Sequence, residues 1–223
     1  MGVSRRDLLG FVLALVVAAV CVRLGVWQLA RLHQRRAANA AVLAARERPP
    51  FDLSARAAAD SLRNRRVRAR GVYDFDHERL WRPRSFADDP GGDLVTPLRL
   101  ADGSGVLVDR GWAPSPDGYH IAESLYREPD TADVTGLALA APRGRGDVNP
   151  AALEDSLPYS LLPFVVQQLP AESAPQPRGA PRRWPAPELD DGPHLSYAIQ
   201  WFSFALIIVV GSVALLRKRG APG

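Results

Sequence analysis

His194 opens the stretch His194-Leu195-Ser196-Tyr197-Ala198-Ile199-Gln200-Trp201-Phe202. On a helix, His194, Tyr197, Ala198 and Trp201 fall at i, i+3, i+4 and i+7 and share one face. An imidazole above two aromatic rings at a membrane surface could ligate a haem iron, with the rings packing on the macrocycle. The same residues equally suit a helix-start histidine in an aromatic belt.

A second constellation, Gly25-Val26-Trp27-Gln28-Leu29-Ala30-Arg31, carries Gln28, Arg31 and Arg35 on one helical face at spacings of three and four. It reads either as an interfacial anchor or as a polar face docking on a membrane partner. The third is Thr96-Pro97-Leu98 followed by Gly105-Val106-Leu107-Val108-Asp109-Arg110-Gly111-Trp112. Alternation there gives no wholly apolar face. Asp109 and Arg110 are expected to form a structural pair or to be displayed at a strand end, with Trp112 capping the core.

Other chemistries are not supported. The sequence has no His-Glu-x-x-His, no Gly-x-Ser-x-Gly and no phosphate-binding Gly-rich loop. His33, His77, His120 and His194 are scattered. Cys21 is the single cysteine, which excludes an intrachain disulfide, a multi-cysteine zinc site and c-type haem attachment. Arg145-Gly146-Asp147 matches a cell-adhesion tripeptide by chance.

The elements that must position these residues begin with two apolar runs. Leu8 to Val22 is unbroken and extends through Trp27, long enough to cross ~30 Å of hydrocarbon. Arg23 falls about four residues, ~6 Å, from its far end, where a guanidinium can snorkel to the headgroups. Arg5 and Arg6 before this run resemble an export signal, yet no small-x-small cleavage site follows, so an uncleaved anchor is expected. Tyr197 to Leu216 is charge-free, preceded by Glu188, Asp190 and Asp191 and followed by Arg217-Lys218-Arg219. Positive-inside bias places the C-terminus in the cytoplasm, and two spans then put the N-terminus there too.

Charge is partitioned accordingly. Between Ala37 and Pro193 stand 19 Arg against 23 Asp or Glu, so the +4 of the whole chain comes from its ends. The basic excess belongs to lipid headgroups, and nucleic acid is excluded as a partner. Gln28 to about Arg46 continues the first helix until Pro49-Pro50. Strands are expected at Arg66–Phe75, Arg79–Arg84, Leu94–Leu100, Gly105–Trp112, Val134–Ala140 and Leu162–Leu169. Turns are expected at Asp88-Asp89-Pro90-Gly91-Gly92 and Ala101-Asp102-Gly103-Ser104, the second closing a hairpin. The fold class is thus two transmembrane α-helices flanking a mainly antiparallel β domain, barrel- or sandwich-like, α+β overall. In ranges, this reads as cytoplasmic 1–7, span 8–29, helical extension 30–48, β domain 49–169, Pro-rich and loosely ordered linker 170–193, span 194–216 and cytoplasmic tail 217–223.

Taken together, the three constellations resemble the surfeit-locus assembly-factor family of cytochrome c oxidase. Its first span typically ends in Gly-x-Trp-Gln-x-x-Arg, matched by Gly25, Trp27, Gln28 and Arg31. Its domain carries Thr-Pro and then Val-x-Arg-Gly-Trp, matched by Thr96, Pro97, Val108, Arg110, Gly111 and Trp112. Its second span opens with His-x-x-Tyr-Ala-x-x-Trp-Phe, matched by His194, Tyr197, Ala198, Trp201 and Phe202. The resemblance implies a non-enzymatic role in oxidase biogenesis in a bacterial inner membrane, binding haem a and serving the oxidase catalytic subunit, with haem A synthase a second partner. It implies His194 as ligand to the haem iron, Tyr197 and Trp201 lining the porphyrin, and Arg31 available to a propionate. Trp27, Gln28, Arg110 and Trp112 are then interface residues. The alternative is a cofactor-free, membrane-anchored scaffold for an oxidase intermediate. A membrane haem or quinone enzyme is disfavoured, because two spans supply too few histidines for paired ligation.

Overall fold

Ser4 and Asp7 cap the start of the first helix through each other. The Ser4 hydroxyl accepts from the Asp7 N–H at 3.2 Å, and the Asp7 carboxylate accepts from the Ser4 N–H at 3.3 Å. This capping box satisfies two donors that a helix start leaves unpaired. The computed structural model describes residues 4–54, 59–118, 120–142, 148–171 and 179–220. The Arg145-Gly146-Asp147 tripeptide, residues 1–3, 172–178 and 221–223 lie outside the described residues. The chain divides into two compact units, one of Met1–Ala41 with Leu189–Gly223 and one of Val42–Glu188.

The first unit is a helix pair. Helix α1 spans Arg5–Glu47 and stops just ahead of Pro49-Pro50; the C-terminal helix spans His194–Gly220. Both are long and apolar enough to cross a membrane. Their outward faces expose Leu9, Leu13, Val16, Leu206 and Ile207, the arrangement expected where hydrocarbon is the solvent. The two helices meet through small residues: Ala18, Cys21 and Ala205 are buried, with Trp201 and Ile208 packed against them. Close approach continues at Gly25, where an added Cβ would stand 2.7 Å from the Phe202 ring.

In the second unit seven strands form one sheet. They are β1 Phe51–Asp52, β2 Arg66–Tyr73, β3 Arg79–Phe86, β4 Asp89–Leu100, β5 Gly105–Pro114, β6 Thr131–Ala140 and β7 Leu161–Gln168. Two single-turn helices, α2 (Ala59–Leu62) and α3 (Pro150–Leu153), interrupt them, which makes the C-terminal helix α4. The order β1-β2-β6-β7-β5-β4-β3 closes on itself because β2 also pairs with β4, so five strands make a barrel and β1 and β3 extend it. Closure brings Gly71 opposite Leu100, with the Arg99 carbonyl where a Cβ would be. Inside lie Val67, Leu98, Val106, Val108, Val134 and Val166, all at or near zero exposure.

The six strands legible in the sequence are present, each with one or both ends shifted by one to five residues. Three features differ. The first hairpin turns at Ala87-Asp88, both at positive φ (50° and 70°), and Pro90-Gly91-Gly92 already runs within β4. Two positive-φ residues give the twist a two-residue hairpin needs, and here Ala87 and Asp88 supply it. Second, β5 pairs parallel with β7, and β1 parallel with β2, within an otherwise antiparallel sheet. Alternation along a strand is blind to direction.

Third, the linker is extended, as its prolines dictate, but from Arg182 to Pro185 it is pinned to the barrel. Arg182 exchanges backbone hydrogen bonds with Trp112 at 2.7 and 2.8 Å, and Trp184 Nε1 donates to Asp93 Oδ1 at 2.7 Å. Gln167 Nε2 donates to the Pro185 carbonyl at 2.8 Å. Gly111, at φ 116°, admits this strap, since any Cβ there would collide with the Arg182 carbonyl.

Candidate functional site

The corner at Gly192, φ 68°, turns the chain into α4 and sets His194 at its first position. The Pro193 carbonyl accepts from Tyr197 N at 3.1 Å and from the Ser196 hydroxyl at 2.8 Å, which closes the first turn. Asp191 pairs with Arg36 at 2.7 Å, and the Asp190 carbonyl accepts from Asn39 Nδ2 at 2.8 Å, tying this corner to α1. Half-buried, His194 then meets Gln28 of α1: its Nδ1 lies 2.8 Å from Gln28 Oε1. An amide oxygen only accepts, so Nδ1 is the donor in this contact, and in the tautomer that makes it Nε2 carries the lone pair.

One ring nitrogen is thus held and the other is left able to accept a ligand. The Gly192 backbone lies beside the ring, since a Cβ there would be in ordinary van der Waals contact, 3.6 Å from Nε2. Through Nε2, His194 is the residue of this corner that could hold a haem iron. The residues present do not form a protein-built metal centre: among the described residues no group of three His, Cys, Asp or Glu converges.

The other residues singled out in the sequence divide. Ala198 is buried in the helix pair. Trp201 is half-buried, packs on the Ala18-Cys21-Ala205 cluster and meets Phe204 edge-on at 5.9 Å. Tyr197 is exposed. Trp27 and Arg31 engage one another on their own helix, the guanidinium carbon 5.7 Å from the ring centroid, while Arg31 Nη1 donates to Gln34 at 3.1 Å. Gln28, not Arg31, is what joins α1 to His194.

Arg110 and Trp112 lie inside the second unit. A bulge at Arg110, between the pairings Leu94 with Gly111 and Val95 with Asp109, re-aims β5. Asp109 and Arg110 consequently do not pair with each other. Fully buried, Arg110 donates from Nη2 to Glu78 at 2.6 Å, from Nη1 to Glu128 at 2.9 Å and to the Tyr126 carbonyl at 2.8 Å, and from Nε to Thr96 at 2.8 Å. Arg183 of the strap donates to Glu128 and to the Arg110 carbonyl, so two guanidinium groups face two carboxylates. Trp112 is 7% exposed and packs near Phe86. Neither side chain is displayed for a partner.

The opposite face of the bulge holds Asp93 and Asp109. Asp93 accepts from Arg84 at 2.6 Å and from Trp184; burial nonetheless pushes its carboxyl upward. Burial, with the charge of Asp93 added, pushes Asp109 up to about 7, and its one hydrogen bond is from Gly111 N at 3.0 Å. Sequence spacing gave no sign of Glu78, Glu128 or Arg183, which gather only when the barrel closes. Ser115, Asp117 and His120 also cluster, yet the Ser115 hydroxyl donates to the His120 carbonyl at 2.8 Å and lies 3.2 Å from Asp117 Oδ1, with no hydrogen bond to the His120 ring. That geometry activates no nucleophile.

A model of the SURF1 family matches residues 15–206. A SURF1-like protein of Monosiga brevicollis is 28% identical over 234 residues, covering 92% of this chain and 87% of the relative. Uncharacterized SURF1-like proteins of Mycobacterium bovis and Mycobacterium tuberculosis are each 28% identical over 222 residues, covering 89% of this chain and 80% of theirs. The match runs from within the first apolar helix, through the barrel and strap, to the aromatic start of the second helix, and the chain belongs to the SURF1 family.

Proposed function

We propose that this chain takes up haem a in the bacterial inner membrane and hands it to the catalytic subunit of cytochrome c oxidase, or holds that subunit while the haem enters. Family membership supports a role in oxidase assembly and a membrane anchor, and the family is one of assembly factors, not of enzymes. The finer reading rests on one observation. His194 Nδ1 is held by Gln28 Oε1 at 2.8 Å, which leaves Nε2 as the donor. A bound haem would bring the iron that takes this donor. His194 supplies one ligand near the end of an apolar helix, and a single ligand suits reversible transfer better than a buried pair. Gln28 fixes the ring tautomer and its orientation. Tyr197 is exposed beside it and presents a ring to a flat partner. Haem A synthase is the proposed source, and the domain lies outside the cytoplasm with both termini inside.

A cofactor-free scaffold draws on a different observation: the Trp201 ring is engaged in the helix-pair cluster rather than presented to a ligand. The two readings separate in a strain lacking this chain. Restored with His194→Ala, the carrier reading expects oxidase that accumulates but is deficient in haem a by pyridine haemochrome analysis. Full haem a content with His194→Ala refutes the carrier and leaves the scaffold.

A further inference from the structure

Arg23 is exposed within the apolar length of α1. The buried residues of that helix, Ala18, Cys21, Gly25 and Leu32, fall on one stripe with Gln28, the side that meets α4. At 100° per residue Arg23 stands roughly half a turn from that stripe, so it faces away from α4. Among the described residues it has no hydrogen-bond or ion-pair partner. Neither helix carries an acidic residue between Leu8 and Ala30 or between Leu195 and Leu216, so a second copy of the chain supplies no counter-charge at this depth. A bare guanidinium in hydrocarbon is costly, and such a residue ordinarily marks a partner.

Trp27 and Arg31 follow at i+4 and i+8 on the same flank. The helix rise puts Arg23 ~6 Å to one side of Trp27 and Arg31 ~6 Å to the other. Arg31 already leans over the Trp27 ring. Two arginines thus flank one aromatic residue along the helix, Arg23 a turn before it and Arg31 a turn after. We propose that Arg23, Trp27 and Arg31 bind the phosphate of an anionic phospholipid, on the side of α1 turned away from α4. Paired N–H donors match phosphate oxygens geometrically, and an anionic lipid, unlike a zwitterionic one, offsets one of the two cations without adding a third. Depth favours lipid over a carboxylate on another membrane protein. One turn inside Trp27, Arg23 is within snorkelling reach of headgroups, whereas a carboxylate partner would itself have to enter hydrocarbon. The site rests on α1 crossing the membrane and is independent of whether His194 takes haem.

Native mass spectrometry of the detergent-purified full chain, titrated with phosphatidylglycerol and with phosphatidylcholine of matched chains, tests it. The wild type holds phosphatidylglycerol more tightly. Arg23→Leu, which suits a lipid-facing position, loses one tightly held phosphatidylglycerol and weakens that affinity roughly fivefold or more, the equivalent of ~1 kcal/mol per basic residue. Arg23→Lys keeps part of it. Unchanged stoichiometry and affinity in Arg23→Leu overturn the proposal. So does an unchanged lipid profile with loss of a co-purifying membrane protein, which would assign Arg23 to an acidic protein partner.

Discussion

Replacing Arg110 by Met removes the centre of the barrel's ion cluster. Arg110 is fully buried and makes four hydrogen bonds, two of them to carboxylates that are themselves 6% and 13% exposed. After the substitution Glu128 retains Arg183, but Glu78 keeps only the Thr96 hydroxyl, which donates to it. Truncating one partner of a buried charge pair costs ~3–5 kcal/mol, mostly from the stranded charge. The comparison of interest is therefore a double-mutant cycle. Arg110→Met alone should lower stability by ~3–5 kcal/mol, and adding Glu78→Gln should return ~1–3 kcal/mol of it, because the stranded carboxylate is gone. Urea unfolding in mild detergent reads this directly, with near-ultraviolet dichroism from Trp112 and Trp184 reporting on the barrel. A loss below ~1 kcal/mol for Arg110→Met, or strictly additive effects of the two substitutions, refutes the idea that this cluster holds the barrel together.

The pair on the other face titrates. Asp109 has its carboxyl raised to about 7 from 3.8, so the folded state holds the proton more tightly than the unfolded chain. Its contribution is therefore present at low pH and lost as pH rises through the folded value, a difference on the order of a few kcal/mol. Asp109→Asn keeps an oxygen for Gly111 N, so it should flatten stability between pH 4 and 8 and stabilise at pH 8; a steeper profile in urea titrations contradicts this. Trp184→Phe removes the 2.7 Å hydrogen bond to Asp93 and should cost ~1–3 kcal/mol in the same assay, whereas no change would mean that the strap does not depend on it. Gly25→Val drives a methyl group into the Phe202 ring and should lower the melting temperature of the detergent-solubilised protein, with Phe202→Ala restoring part; no rescue would place the clash elsewhere.

How much of this was readable from the chain follows from the range over which each force acts. Two apolar runs and six strands declare themselves through local periodicity, and the Ala101-Asp102-Gly103-Ser104 hairpin through its turn residues: the Asp102 carboxylate accepts from Ser104 N at 3.1 Å, and Gly103 takes φ 87°. Strand direction was invisible, because inward and outward residues alternate alike in parallel and antiparallel pairs. The partners of Arg110 were invisible for a different reason. Glu78, Glu128 and Arg183 are 32, 18 and 73 residues away in sequence and are brought together only by barrel closure and the strap. The strap itself was obscured by composition: Pro, Ala and Arg suggest a solvated linker, yet Arg183 is only 8% exposed. At the helix pair the histidine stood out from its aromatic neighbours. Its partner Gln28 lay within a motif already noted, but the 2.8 Å contact between them spans 166 residues.

The central claim is that His194 offers its free ring nitrogen to a haem iron. It is tested most directly by the visible absorption spectrum of the detergent-purified protein from cells that make haem A, wild type beside His194→Ala. A haem a band present in the wild type and absent from a folded His194→Ala protein is the predicted result. Absence of the band from both, or its persistence in His194→Ala, would contradict the claim.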